Sequence, residues 1–297
     1  MRRDETSGDP LHEVPELFLE AVNFTAATTA FAARLIEKDY FCSVLLSHIY
    51  KKSGSLLVFK GGTCLAKVHA GFYRLSEDLD FMIPMPVESK RSERRRQVEP
   101  LKKMIEVLPE ALPIFYQVEQ LKGSNESTQY VGVLGYQSLV FHQMETIKIE
   151  VGLREPLILP ATKQKTGTIL LDPISNKPMV KPLNIVCISK KEAYAEKFRA
   201  ALTRREAAIR DFFDIDYAVR QLGLETREPS LVRLIQSKLD VPGNEPIDVT
   251  EKRLETLRLQ KESHLRPVLR NSDYQAFDLE RAFPLVREMA SQLAIQR

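Results

Sequence analysis

Lys60-Gly61-Gly62-Thr63, followed closely by Ser76-Glu77-Asp78-Leu79-Asp80-Phe81, has the residue types needed to hold a phosphate beside a divalent cation. Paired glycines let a backbone approach an anion, and a helix starting near Thr63 would point its N-terminal amides at that anion. On a β-strand Asp78 and Asp80 face the same way, about 6.6 Å apart, while Leu79 and Phe81 turn into a core. On a helix the two carboxylates would diverge. In this reading the Gly61 and Gly62 amides and Thr63 cradle a triphosphate, and Lys60 either helps or flanks the loop. Thr63 can equally be a simple helix N-cap. Asp78 and Asp80 would hold Mg²⁺ or Mn²⁺, which take oxygen ligands and keep some waters. The plainer alternative is a solvent-facing acidic pair at a strand end.

A third carboxylate comes from Thr146 to Arg154, where Ile147, Ile149, Val151 and Leu153 alternate with Lys148, Glu150, Gly152 and Arg154. If this strand lies beside the D-x-D strand, Glu150 joins the metal cluster, and Lys148 or Arg154 offsets its charge. Otherwise these charges form surface cross-strand pairs worth little. Further on, Ser189-x-x-Glu192 reads as a capping box opening a helix with Tyr194, Phe198 and Leu202 inside and Lys197 on its flank. Lys197 either reaches a phosphate or is an ordinary exposed lysine. The next helix puts Asp211 and Asp214 on one face, with Ile209, Phe212, Phe213 and Val219 on the buried side. Asp216 falls among the apolar positions, so it is a paired structural acid or the helix phase differs. Arg199 and Arg210 are further phosphate candidates.

The elements that position these residues follow from periodicity. Helices are expected over Pro15 to Lys52, ended by Ser53-Gly54, and a buried strand over Ser55 to Phe59. Gln129 to Val140, interrupted by Gly132 and Gly135, reads as strands joined by a tight turn, and Leu183 to Ile188 as a last strand. A charged helix follows Pro84-Met85-Pro86, a loop carries Asp172-Pro173 and Lys177-Pro178, and beyond Ser189 the sequence reads as helical to the end apart from a break at Val241 to Pro246. The division expected is 1–54 for N-terminal helices, 55–189 for a core of mixed strands and helices that holds the candidate site and 190–297 for a C-terminal helical domain. The densest positive run, Lys90-Arg91-Ser92-Glu93-Arg94-Arg95-Arg96, suits an RNA backbone or a solvated helix face.

Composition narrows the class. At 297 residues, 43% hydrophobic and 28% charged, the chain reads as an ordinary globular protein. A net charge of +3 does not by itself announce a nucleic-acid partner. Met1 to Pro10 lack an apolar signal core, and no apolar run is long enough to span a bilayer, so a cytoplasmic protein with no membrane partner is expected. Cys42, Cys64 and Cys187 are scattered, with no C-x-x-C, and His12, His48, His69, His142 and His264 form no H-E-x-x-H pair. This argues against a disulfide framework and a zinc site, and for metal held by oxygen.

The KGGT and SEDLDF segments, followed in order by AEKFRAALTRRE and RDFFDID, resemble the AbiEii/AbiGii nucleotidyltransferase toxins, which include the MenT proteins, of the DNA polymerase β-like superfamily. The resemblance runs from about Ser55 to Gly223. It implies an α/β (α+β) fold: a polymerase β-like core with a small mixed sheet, N-terminal helices and a C-terminal helical region. It implies functional roles for Lys197 and Asp211, and polymerase β-like folds need a third acid on a strand beside the D-x-D pair Asp78 and Asp80, a place open to Glu150. The residues themselves offer Lys60, Gly61, Gly62, Thr63, Ser76 and Arg199 as candidate nucleotide contacts. The expected reaction moves NMP from an NTP to RNA, with the 3′ end of tRNA as acceptor, in a toxin controlled by a separately encoded antitoxin. The competing classes are a D-x-D glycosyltransferase, which the early KGGT disfavours, and a non-catalytic nucleotide- or RNA-binding regulator, which the intact aspartate pair disfavours.

Overall fold

The protein is described here by a computed structural model covering residues 10–53 and 57–295. The expectations for Met1 to Asp9, for a helix stop at Gly54 and for a strand start at Ser55 and Leu56 lie outside the described residues. Pro15 opens α1 (Pro15–Thr29), a position where its missing N–H is harmless, and Ala30 in the left-handed region closes it. α2 (Ala33–Ser53) follows, then β1 (Val58–Lys60), the short α3 (Gly61–Cys64) and a π-helical turn, Leu65–His69. After β2 (Leu79–Met82) come α4 (Arg91–Glu106), α5 (Leu108–Ala111), β3 (Phe115–Ser124), β4 (Gln129–Gln137) and β5 (Met144–Gly152). β6 (Thr162–Lys165) and β7 (Asn184–Cys187) complete the strands. The rest is helical: α6 (Lys190–Thr203), α7 (Ile209–Leu222), α8 (Pro229–Leu239), α9 (Glu251–Gln260), α10 (Asn271–Ala276) and α11 (Leu279–Ile295). No helix among the described residues is long and apolar enough to cross a membrane.

The strands form one mixed sheet in the order β3-β4-β5-β2-β1-β7-β6. β2 runs parallel to β5 and antiparallel to β1. That pairing sets Lys60 opposite Asp80 and Asp80 opposite Glu150, a transverse row on one face of three adjacent strands. The alternate residues Phe59, Leu79, Phe81, Ile149 and Val151 are buried on the other face. There α2 supplies Phe41, Leu45 and Ile49, and Tyr50 meets Phe81 at 6.3 Å between ring centroids. Each such side chain contributes about 1.5–3 kcal/mol through burial. Ion pairs tie the helix to the sheet: Arg34 reaches Glu77 at 2.8 Å and Glu145 at 2.7 Å. Glu77 therefore points away from the face that carries Asp78 and Asp80.

Several expectations change. Gln129 to Gln137 is one continuous strand, not two joined by a turn. Its glycines make room for the neighbouring β3: a Cβ at Gly135 would lie 2.2 Å from the Tyr116 ring, and one at Gly132 would lie 3.1 Å from the Leu121 backbone. The Ser189 hydroxyl caps α6 through the Glu192 amide, but the Glu192 carboxylate does not return to the cap. It accepts from the Ile158 and Leu159 amides and pairs with buried Lys238 at 2.7 Å. Asp216 is the paired structural acid, held by Arg281 at 2.8 Å and Arg220 at 3.0 Å. Arg94 departs from the basic patch. It is only 8% exposed, and its guanidinium donates to the Val87 carbonyl at 2.8 Å, because α4 turns this position toward the fold. Arg95 and Arg96 stay exposed.

Candidate active site

A cleft of about 390 Å³ opens between the sheet face and the helices α6 and α7. Its sheet wall carries Lys60, Gly61, Gly62, Ser76, Asp78, Asp80, Lys148 and Glu150. Its helical wall carries Glu196, Lys197, Arg199, Arg204, Arg210 and Asp211, with Arg74 at the floor. Thr63, Arg94, Arg95 and Arg96 do not line it. α4, with its exposed Arg95 and Arg96, packs on α2 and β3 instead.

The turn after β1 is built around Asp80. Gly61 has φ +75°, and a Cβ there would fall 2.0 Å from Asp80 Oδ2, so only glycine fits. A Cβ on Gly62 would meet the Arg74 guanidinium at 2.8 Å and Ser76 Oγ at 3.0 Å. The helix begins at Gly61 rather than near Thr63. Thr63 is 1% exposed and neither caps that helix nor faces the cleft. Its hydroxyl donates to the Asp78 carbonyl and so ties the glycine turn to the D-x-D strand.

Three carboxylates share the sheet wall with little compensation. Lys148 lies 3.4 Å from Glu150 and 3.8 Å from Asp78, while Gln129 donates to Glu150 at 2.8 Å. Arg154 does not offset Glu150; it turns to Asn244 at 3.4 Å. Among the described residues Asp80 has no ion pair and no side-chain hydrogen bond. Burial, followed by the Glu150 and Asp78 charges, pushes its carboxyl up to about 6, with Lys60 and Lys148 opposing the shift. An under-neutralised row of oxygens suits a divalent cation, so this donor set fits the group that the sequence implies.

The helical wall is the reverse. Lys197 Nζ lies 2.9 Å from both Asp211 and Asp214. Arg74 grips Asp214 through two nitrogens at 2.5 and 2.9 Å, and Tyr73 donates to it at 2.6 Å. Burial opposes ionisation of Asp214, but Arg74 and Lys197 hold its carboxyl well below the usual range. Burial also disfavours the charge on Lys197, and Asp211 and Asp214 more than restore it. Lys197 is still 14% exposed on the cleft side. Lys60 bonds Glu196 at 3.1 Å across the cleft, linking β1 to α6. Burial raises the Glu196 carboxyl, but Lys60, Lys238 and Arg199 outweigh that and hold it at about 2.

Arg74 and Glu196 are site residues that the sequence reading missed. Glu196 follows Glu192 by one helical turn, a faint signal. Arg74 sits in a loop whose sequence carries none.

The sequence profile of the family described as nucleotidyl transferase AbiEii toxin, type IV toxin-antitoxin system, matches residues 44–287. No curated protein matches the chain. Among solved structures, JHP933 from Helicobacter pylori is 15% identical with a TM-score of 0.48, covering 88% of this chain and 95% of its own. A second H. pylori chain, described as a candidate nucleotidyltransferase, is 15% identical with a TM-score of 0.45, covering 94% and 98%. The family match spans most of the sequence, including both walls of the cleft, and the chain belongs to the AbiEii nucleotidyltransferase toxins of type IV toxin-antitoxin systems.

Proposed function

We propose that the cleft transfers NMP from an NTP to a hydroxyl of RNA, with the 3′ end of tRNA as the acceptor, and releases pyrophosphate. The observation that carries this reading is the row Lys60, Asp80 and Glu150, in register on three strands beneath a glycine turn that leaves no room for a side chain over Asp80. A divalent cation, Mg²⁺ in this proposal, would be held by Asp78, Asp80 and Glu150 and would neutralise charge on the phosphates when bound. The chain's own groups bind and orient. The Gly61 and Gly62 backbone lets the triphosphate approach closely, and Ser76 lies beside it. Lys197 and Arg199 face the phosphates from α6, and Asp211 with Asp214 keeps the Lys197 ammonium charged and fixed in place. Arg204, exposed at the mouth, and Arg210 beside it support an RNA backbone by phosphate contact. The cognate antitoxin would restrain this activity in the cell.

The test is incubation of the purified chain with each α-labelled NTP, Mg²⁺ and total RNA. A labelled RNA band in the tRNA range, lost in Asp80→Ala, supports the proposal. Label on protein alone redirects the acceptor, and no transfer from any NTP overturns the reaction.

A further inference from the structure

Cys64, His69 and Cys187 have no metal-binding spacing in the sequence, yet the fold brings one donor atom from each within 4.8 Å of the others. Cys64 ends α3, directly after Gly61-Gly62-Thr63, and His69 ends the π-helical turn that follows. Cys187 ends β7, paired with Phe59 of β1. Both sulfurs belong to buried residues, and His69 is half-buried. His69 Nε2 lies 2.9 Å from the Ile188 carbonyl, which can only accept, so Nε2 carries the proton and Nδ1 has the free lone pair. A backbone carbonyl holding a histidine this way fixes the tautomer and makes the other nitrogen a better ligand. The Thr162 hydroxyl, 3.4 Å from Cys187 Sγ, can turn to donate to a thiolate.

We propose that Cys64, His69 and Cys187 form a second cation site, for a thiophilic ion such as Zn²⁺, that pins the glycine turn to β7. The two donor sets sort cations by softness: sulfur and imidazole favour Zn²⁺, whereas the carboxylates of the cleft favour Mg²⁺. Tetrahedral zinc, with bonds of about 2.3 Å to sulfur and about 2.0 Å to nitrogen, places its ligands about 3.3–3.8 Å apart. The three donors therefore close by about 1.5 Å at most on binding. Each thiol gives up its proton as its sulfur–metal bond forms, so affinity falls as pH drops.

Cobalt(II) serves as the spectroscopic probe, added to the reduced, unmutated chain. Thiolate ligation produces a sulfur-to-cobalt charge-transfer band in the near ultraviolet that carboxylates cannot give. The expected result is saturation at one equivalent, bleaching of the band by one equivalent of Zn²⁺, and protection of two cysteines from alkylation by equimolar Zn²⁺. Cys187→Ser and His69→Gln, checked for cooperative melting without metal, should each lose at least tenfold in Zn²⁺ affinity. Absence of the band, or full alkylation of all three cysteines with excess Zn²⁺ present, overturns the proposal without recourse to any variant. Unchanged Zn²⁺ affinity in folded Cys187→Ser overturns it as well.

Discussion

On the sheet wall of the cleft Asp80 lies beside Asp78 and Glu150 and makes no ion pair among the described residues, with Lys60 and Lys148 only partly offsetting its surroundings, whereas on the helical wall Asp214 receives Arg74, Lys197 and Tyr73. The first carboxyl is pushed up to about 6 and the second is held well below its ordinary value. Both walls carry acids, but the fold neutralises one set and leaves the other wanting charge. A buried carboxylate supplied with every partner behaves as scaffold; one left without them is stabilised when a cation arrives.

The largest effect expected from breaking this contrast is on the neutralised side. Arg74→Ala strands Asp214 in the interior and should cost about 3–5 kcal/mol of stability, read by urea unfolding. A loss below about 1 kcal/mol would mean that Lys197 and Tyr73 suffice, and that the wall is over-provided.

On the other side, Asp80→Ala should leave the unfolding free energy within about 1 kcal/mol of the parent while NMP transfer falls by a hundred- to a thousandfold, about 3–4 kcal/mol of barrier. Full transfer activity in that variant would remove the sheet wall from the chemistry.

Acid titration separates the walls further. The Glu196 carboxyl has a folded pKa of about 2, against about 4.5 unfolded, because Lys60 and Lys238 surround it despite burial. Its contribution, on the order of 3 kcal/mol, is complete above the unfolded pKa and is lost as pH falls from about 4.5 toward 2. Glu196→Gln should therefore flatten the stability profile in that window. An identical slope in variant and parent would assign the acid sensitivity elsewhere.

Lys197, on the helical wall, is held by two aspartates while facing the cleft. Lys197→Met should raise the NTP concentration needed for half-maximal rate about tenfold or more, consistent with a charged contact worth about 1.5–3 kcal/mol, and should also lower the melting temperature. An unchanged NTP dependence with lowered stability would make it scaffold alone.

The smallest effect has the opposite sign. Without metal, Asp78→Asn with Asp80→Asn relieves repulsion on the sheet wall and should match or exceed the parent's stability by up to about 1 kcal/mol in EDTA. The same double variant should lose the extra melting temperature that Mg²⁺ with NTP confers on the parent. A variant markedly less stable than the parent would show that these acids have structural partners after all.

Much of this contrast is visible in the chain before folding. The period of two in Asp78-Leu79-Asp80-Phe81 places both carboxylates on one face, and the alternation from Ile147 to Leu153 does the same for Lys148 and Glu150. The period of 3.6 puts Asp211 and Asp214 together, and both meet Lys197. Other features escape such reading. Arg94, Arg95 and Arg96 are one residue type in a row, and only the docking of α4 decides that Arg94 turns inward. Gly132 and Gly135 look like turn residues until the Tyr116 ring and the Leu121 backbone of β3 are seen to fill the space where their side chains would be.

The amino-acid sequence by itself determined the local faces: which side chains alternate, which helical positions are apolar, and that a glycine turn precedes a D-x-D strand. Local periodicity reports on residues a few positions apart, and those faces need nothing more distant. Only the tertiary structure decided that β2 lies between β1 and β5 with Lys60, Asp80 and Glu150 in one row, that Arg74 reaches Asp214 and Lys60 reaches Glu196, and that Cys64, His69 and Cys187 converge. Those partners are brought together by strand order and helix docking, which depend on burial of the whole core and not on the identities of the charged residues.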